Sequence, residues 1–259
     1  MLTPWPRCVG ALTLTLTLCA CAGSGARSTS KGAAPTAATT CSLPAFGSGG
    51  GYHPKIDPAS FSATVDNPYY PLIPGVTSVY VGVKDGKGAL DIVVPTARTA
   101  VIDGVATRVV EDRLFLDNAL EERTSDYYAQ DRCGNVWYFG EDTASLDARG
   151  KVVSTDGSFH AGANGARPGV FMQATPETGR RFRQEWSPGQ AEDTFKAVGL
   201  DARVAVPGGR FTRALRTEET TALEPGVVDN KLYVQGIGEV VEQAVKGPPE
   251  ALHLVEVIR

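Results

Sequence analysis

From Thr77 to the C-terminus, apolar and polar residues alternate with a period of two, and a turn signal interrupts them every 8 to 12 residues. That pattern fits strands with one face buried and connections too short for anything but antiparallel pairing. The segments are 78–83, 89–94, 98–102, 106–116, 120–130, 136–141, 182–186, 193–198, 202–206, 213–220, 231–235, 238–245 and 251–258. Turns fall at Lys84-Asp85-Gly86, Asp103-Gly104, Asp117-Asn118, Cys133-Gly134, Pro207-Gly208-Gly209 and Gly247-Pro248-Pro249. No 12-residue window beyond residue 56 carries a capped apolar face of helical period. The expectation is an all-β chain: a single antiparallel domain of about a dozen strands, barrel-like or a two-layer sandwich, spanning 56–259.

The N-terminus reads differently. Residues 8–20 form an apolar run that is too short to cross a hydrocarbon core of ~20 helical residues, so it reads as the core of a signal peptide, residues 1–20. Leu18-Cys19-Ala20-Cys21 has the spacing of a bacterial lipobox and makes Cys21 the lipidated first residue of the mature chain. Two acyl chains would anchor the protein stably on the extracytoplasmic face of the cell membrane. The membrane is thus a partner through the lipid only, because removal of the leader with Arg7 takes the formal charge from −4 to −5. The same acidity excludes nucleic acid as the main partner.

Residues 21–55 are dominated by Ala, Gly, Ser and Thr and read as a flexible spacer behind the lipidated cysteine. Two cysteines remain beyond the anchor, Cys41 and Cys133, and an oxidising compartment favours a disulfide between them. A bridge closing about 90 residues would contribute about 4 kcal/mol in the chain-entropy account. His53, His160 and His253 supply no ligand pair at finger spacing, so a metal site of the zinc-finger kind is not expected, nor is any cofactor.

The densest polar and aromatic stretch is the hairpin 126–142. An even loop at Cys133-Gly134 sets Gln130 opposite Trp137, Tyr128 opposite Phe139 and Asp126 opposite Glu141. One face then carries Asp126, Tyr128, Gln130, Trp137, Phe139 and Glu141. Two carboxylates across a ladder repel unless a proton or a cation sits between them. An aromatic floor with acids at one end suits a sugar or a cationic small molecule. The alternative reading puts the acids on a solvated face, or against Arg180, Arg181 or Arg183.

Two weaker constellations accompany the hairpin. The small-residue loop 154–169 holds Ser158 and His160, a conceivable nucleophile and base with no orienting carboxylate, and it ends at the apolar anchor 170–172. Glu185 and Asp193, if they neighbour Asp126 and Glu141, would make an oxygen-rich site for a hard cation such as calcium.

Several motifs in 67–258 resemble a family of uncharacterised bacterial secreted proteins and lipoproteins. They are Asn67-Pro-Tyr-Tyr-Pro-Leu with Pro74-Gly75, the hairpin stretches 126–131 and 134–143, Gly157-Ser158 with 165–169, Gln184-Glu185, 191–193 and the closing 233–240. The resemblance implies membership and carries no activity; the opening and closing motifs also resemble β-barrel-like periplasmic lipoproteins. The functional expectation is a lipid-anchored extracytoplasmic binding or envelope-assembly module, with a small molecule or glycan as ligand. The alternatives are a hydrolase working through an Asp126/Glu141 acid–base pair, and a purely structural envelope lipoprotein.

Overall fold

The computed structural model describes residues 42–259, which belong to one compact unit, Thr39–Arg259. The signal peptide, Cys21 and Cys41 lie outside the described residues. Sixteen strands follow in chain order: β1 (Phe61–Ser62), β2 (Thr77–Lys84), β3 (Lys87–Ile102), β4 (Val105–Leu116), β5 (Ala119–Asp131), β6 (Val136–Leu146), β7 (Val152–Ser154) and β8 (Phe159–His160) come first. After them come β9 (Arg167–Met172), β10 (Arg181–Arg183), β11 (Glu185–Trp186), β12 (Asp193–Val206), β13 (Gly209–Thr221), β14 (Val228–Val234), β15 (Gly238–Lys246) and β16 (Glu250–Ile258). The all-β expectation holds, in its barrel-like form.

The strands make one antiparallel sheet in the order β10-β12-β13-β14-β15-β16-β2-β3-β4-β5-β6-β9-β11. Its two terminal strands are consecutive in the chain. Residues 181–183 pair with β12 while 185 and 186 pair with β9, so one six-residue segment forms the seam that brings the sheet round on itself. Closure of this kind leaves few unpaired edges.

Two expected breaks are absent. Segments 89–94 and 98–102 are one strand, β3, whose register shifts between Pro95 and Thr99; segments 193–198 and 202–206 are likewise one irregular strand, β12. Neither place holds a sequence that reverses the chain, and a proline inside a strand is tolerated at a bulge.

Alternation sorts the side chains into two apolar layers. Val110, Tyr128, Val136, Tyr138, Met172, Leu215 and Tyr233 face the barrel interior. Val109, Tyr127, Trp137, Phe139, Phe182 and Phe195 form an outer layer, covered by Leu43, Ile56 and Phe61. Residues 42–55 are therefore not spacer: Tyr52 is 2% exposed and its hydroxyl donates to the Pro168 carbonyl at 3.0 Å. Four large apolar residues among the glycines and serines, Leu43, Phe46, Tyr52 and Ile56, are enough to seat this stretch on the barrel.

The Asn67-Pro-Tyr-Tyr-Pro-Leu motif stoppers one end. Asn67, 1% exposed, donates to the carbonyls of Gly134 (2.8 Å) and Gln173 (3.2 Å) and accepts from the amides of Tyr69 and Tyr70. Gly236 N–H donates to the Pro68 carbonyl at 2.8 Å. Gly134 and Gly236 belong to turns at the same end of the barrel, and Ser42 enters there too, in a cleft shared with Cys133.

Candidate functional site

Asp126 and Glu141 pair across β5 and β6, as the even loop predicts, but by a different route. The strands leave the loop with Gln130 opposite Val136 and Ala129 opposite Trp137, one residue out of the expected register. Asp131 sets that loop: its carboxylate accepts from the amides of Cys133 and Asn135, from Asn135 Nδ2 and from Trp137 Nε1 at 2.8–3.0 Å. A bulge between the pairs Tyr127–Gly140 and Tyr128–Tyr138 then restores the acids to register. Gly140 is required there: its φ is 143°, and a Cβ would stand 2.2 Å from the Phe159 carbonyl oxygen.

The slip and its repair divide the expected face. Asp126, Tyr128 and Glu141 line the interior cavity, with Tyr138 stacked on Tyr128 at 4.8 Å. Trp137 and Phe139 turn outward and pack edge-on against Phe61 at 5.7 and 5.3 Å. Gln130 also leaves the site: its amide exchanges hydrogen bonds with Asp66 near the stoppered end. An odd loop followed by a bulge leaves no signature in alternation, so the expected placement of Trp137, Phe139 and Gln130 is corrected here.

The cavity has a volume of about 260 Å³. Among the described residues lining it, nine carry carboxyl groups and one, Lys231, an amine. Glu185 and Asp193, brought in by β11 and β12, join Asp126 and Glu141, so the four acids of the calcium reading do share one space. They do not stand as metal ligands: among the described residues no group of three or more His, Cys, Asp or Glu is placed to hold a metal ion. Asp91 and Asp112, from β3 and β4, and Glu219, Glu239 and Glu242, around Lys231, complete the set. The sequence signal for these was a charge at an inward phase of an apolar strand, as Asp91 in Ala89-Leu-Asp-Ile-Val-Val.

Burial dominates the electrostatics. It pushes Asp126 well above the usual carboxylate range, with the Glu141 charge adding, while the Tyr138 hydroxyl donates to Asp126 Oδ1 at 2.6 Å. Burial likewise raises Glu141 to about 7 against a hydrogen bond from Thr143, and holds Glu185 well above the usual range with Asp193 beside it. Asp91 is pushed up to about 10 by burial and by Asp112. Glu239 rises to about 8 despite Lys231. Glu242 is buried as well, but Lys231, with Nζ 3.2 Å from Oε1, keeps it below the usual range. The interior thus holds protons at neutral pH that a bound cation can replace.

Aromatic rings line the inner end. Tyr70, carried in by the stopper, lies 5.3 Å from Tyr128 and 4.6 Å from Phe171, centroid to centroid. Along the strands most of the acids sit toward the opposite end, where Asp193 pairs with Thr221 at the last residue of β13 and is exposed. The site is a pit with an aromatic floor and acidic walls.

The other sequence candidates lie elsewhere. Ser158 Oγ accepts from the Thr143 amide (2.9 Å) and donates to the Thr143 carbonyl (3.1 Å), and His160 Nε2 is 3.1 Å from Asp142 Oδ1. Both are held by strand partners on the outside of β6, away from the cavity, and the nucleophile arrangement is not assembled. Arg181 pairs with Glu218 at 3.0 Å, Arg180 lies over Phe182, and Arg183 lies between Phe46 and Trp186, so the arginines are engaged elsewhere and leave the Asp126/Glu141 pair alone.

No helix among the described residues is long and apolar enough to cross a membrane. No protein-family model matches the chain, and no curated protein matches it. Among solved structures, a "putative lipoprotein" from Parabacteroides distasonis is similar over 73% of this chain and 97% of its own, at 7% identity and a TM-score of 0.38. A likeness that distant carries neither fold nor function from one protein to the other.

Proposed function

We propose that this chain is a lipid-anchored extracytoplasmic binding module that holds a small organic cation inside its barrel. The observation that carries the reading is the cavity itself: nine carboxyl groups against one lysine, above a floor of aromatic rings. Ammonium groups satisfy both halves, as counter-ions to the acids and as cation–π partners of the tyrosines. A volume of about 260 Å³ favours a compact amine over a glycan. The anchor rests on the lipobox at Cys21. A Cys41–Cys133 bridge belongs to the same proposal, supported by the position of Ser42, next in the chain, in one cleft with Cys133.

Titration calorimetry with 1,4-diaminobutane and choline, against the neutral isostere 3,3-dimethylbutanol, tests the reading. Binding of an amine, stronger at pH 8 than at pH 5 and absent for the isostere, supports it. Equal binding of the isostere, or no amine binding at either pH, overturns it. One observation favours a second reading, the acid–base hydrolase: Glu141, raised to about 7, faces Asp126, which burial also raises, across one pair of the β5–β6 ladder. Turnover of a substrate series that Glu141→Gln abolishes would move the assignment there.

A further inference from the structure

We propose that residues 42–56 are a latch on the barrel seam, and that its release opens a lateral entrance to the cavity beside Glu185. The seam is the weakest part of the wall. Residues 181–186 carry three ladder pairs to β12 and two to β9, whereas neighbouring long strands pair over most of their length. Glu185, in that segment, is a wall residue of the cavity.

The latch crosses the seam on the outside and is tied to it by Arg180, Arg183 and Tyr52, while Leu43 and Ile56 pack on the outer apolar layer at either side. Arg180 donates to the carbonyls of Leu43 (3.0 Å) and Pro44 (3.3 Å), and Arg183 Nε donates to the Phe46 carbonyl at 3.1 Å. The Arg183 guanidinium lies 4.5 Å from the ring centroids of both Phe46 and Trp186, one from the latch and one from the seam. Tyr52 ties the far end to the Pro168 carbonyl on β9. Gly49, at φ 58°, lies against the Trp186 indole where a Cβ would come within 2.7 Å of the ring. The fastenings thus join both sides of the seam through one short segment: four hydrogen bonds, the Arg183 stack and the buried Tyr52 ring, with no ladder pair among them. Such an arrangement opens locally at lower cost than a ladder of ten pairs. The latch is a property of the fold; its role in admitting a ligand rests on the reading above.

Hydrogen exchange of the whole mature chain, read by mass spectrometry without ligand, tests the latch independently of that reading. Phe46→Ala removes a stacking ring and leaves the carbonyl acceptor; Arg183→Ala removes the whole fastening; Arg98→Ala, in an ion pair with Glu111 on β4, is the control. Amides of the seam, including Gln184 N–H bonded to the Asp193 carbonyl, are expected to exchange on the order of tenfold faster in both latch variants. Those of β2 to β5 stay at the parent rate. Unchanged seam exchange in Phe46→Ala, or an equal acceleration in every strand, overturns the latch. If Arg183→Ala fails to fold, Phe46→Ala carries the test alone. Amine binding that fails while the seam responds would overturn the ligand reading and leave the latch standing.

Discussion

Asp126 and Glu141 face each other across the β5–β6 ladder although the loop that joins the strands sets them one residue apart; the bulge at Phe139 and Gly140 restores the pairing. The pairing therefore rests on two local features acting in opposite senses, the Asp131-centred loop and the bulge. Asp126 is the more deeply buried partner, and its neighbour Tyr138 donates to it.

Asp126→Asn keeps the acceptor for Tyr138 and removes the possibility of a second negative charge beside Glu141. Burial raises the Asp126 carboxyl, so the parent loses stability as pH rises and the amide does not; the variant is expected to gain on the parent between pH 5 and pH 8, by about 1 kcal/mol or more. Urea denaturation at the two pH values checks this. A marked loss at both would show that the carboxylate serves the fold as an ion. Affinity for a cationic probe falls in the same variant if the cavity is the site.

Much of this was legible in the sequence. Period-two alternation with short turns dictates antiparallel strands, and the count of strands calls for closure or layering. The Asp126/Glu141 pairing was expected from an even loop, and the chain reaches it instead through an odd loop and a bulge that cancel. What alternation does not encode is a compensated slip: the loop at Asp131 and the bulge at Gly140 shift Trp137 and Phe139 outward without changing composition. The Asp91, Asp112, Glu219, Glu239 and Glu242 contributions were hidden for another reason. They come from strands far apart in the chain, and only barrel closure through residues 181–186 turns their inward phases toward one point. The latch was masked by its own glycines, which lower the average hydrophobicity around Leu43, Phe46 and Tyr52.

Gly140→Ala places a methyl against the Phe159 carbonyl in a conformation that L residues rarely adopt. A loss on the order of 3 kcal/mol is expected. Thermal unfolding measures it, and a near-neutral result would show that the bulge relaxes at little cost.

The pH dependence of stability has a definite sign. Glu141, Glu239 and Asp91 have folded pKa values raised to about 7, 8 and 10, so the folded chain retains protons that the unfolded chain has lost. Their stabilising contribution is complete below the ordinary values, 3.8 for Asp91 and 4.5 for the two glutamates, and is lost as pH rises from there through the folded values. Each group contributes a slope of up to about 1.4 kcal/mol per pH unit in its window. Stability is therefore expected to be higher at pH 5 than at pH 8, and guanidinium midpoints at the two values check it; the reverse order would mean that the interior acids are ionised in the fold.

Asn67 ties the stopper to two separate parts of the barrel. Its amide bonds the Gly134 and Gln173 carbonyls, and its side-chain carbonyl accepts from Tyr69 and Tyr70, all in a site 1% exposed. Asn67→Ala takes this partner from the Gly134 and Gln173 carbonyls and from the Tyr69 amide, while the Tyr70 amide keeps its bond to the Asn67 backbone carbonyl at 3.3 Å, and a cost on the order of 3 kcal/mol follows. Tyr70, the floor of the cavity, is positioned through the same side chain, so the floor loosens before the walls do. Asn67→Asp separates the two effects: it keeps both acceptor bonds to the Tyr69 and Tyr70 amides, and it replaces the donors by an oxygen that the Gly134 and Gln173 carbonyls repel. Tyr70 is therefore expected to keep its place in Asn67→Asp and to lose it in Asn67→Ala, which cross-peaks between the Tyr70 and Phe171 rings in nuclear Overhauser spectra would register. Equal loss of those cross-peaks in both variants would show that the donor bonds to Gly134 and Gln173, and not the Asn67 turn, fix the floor.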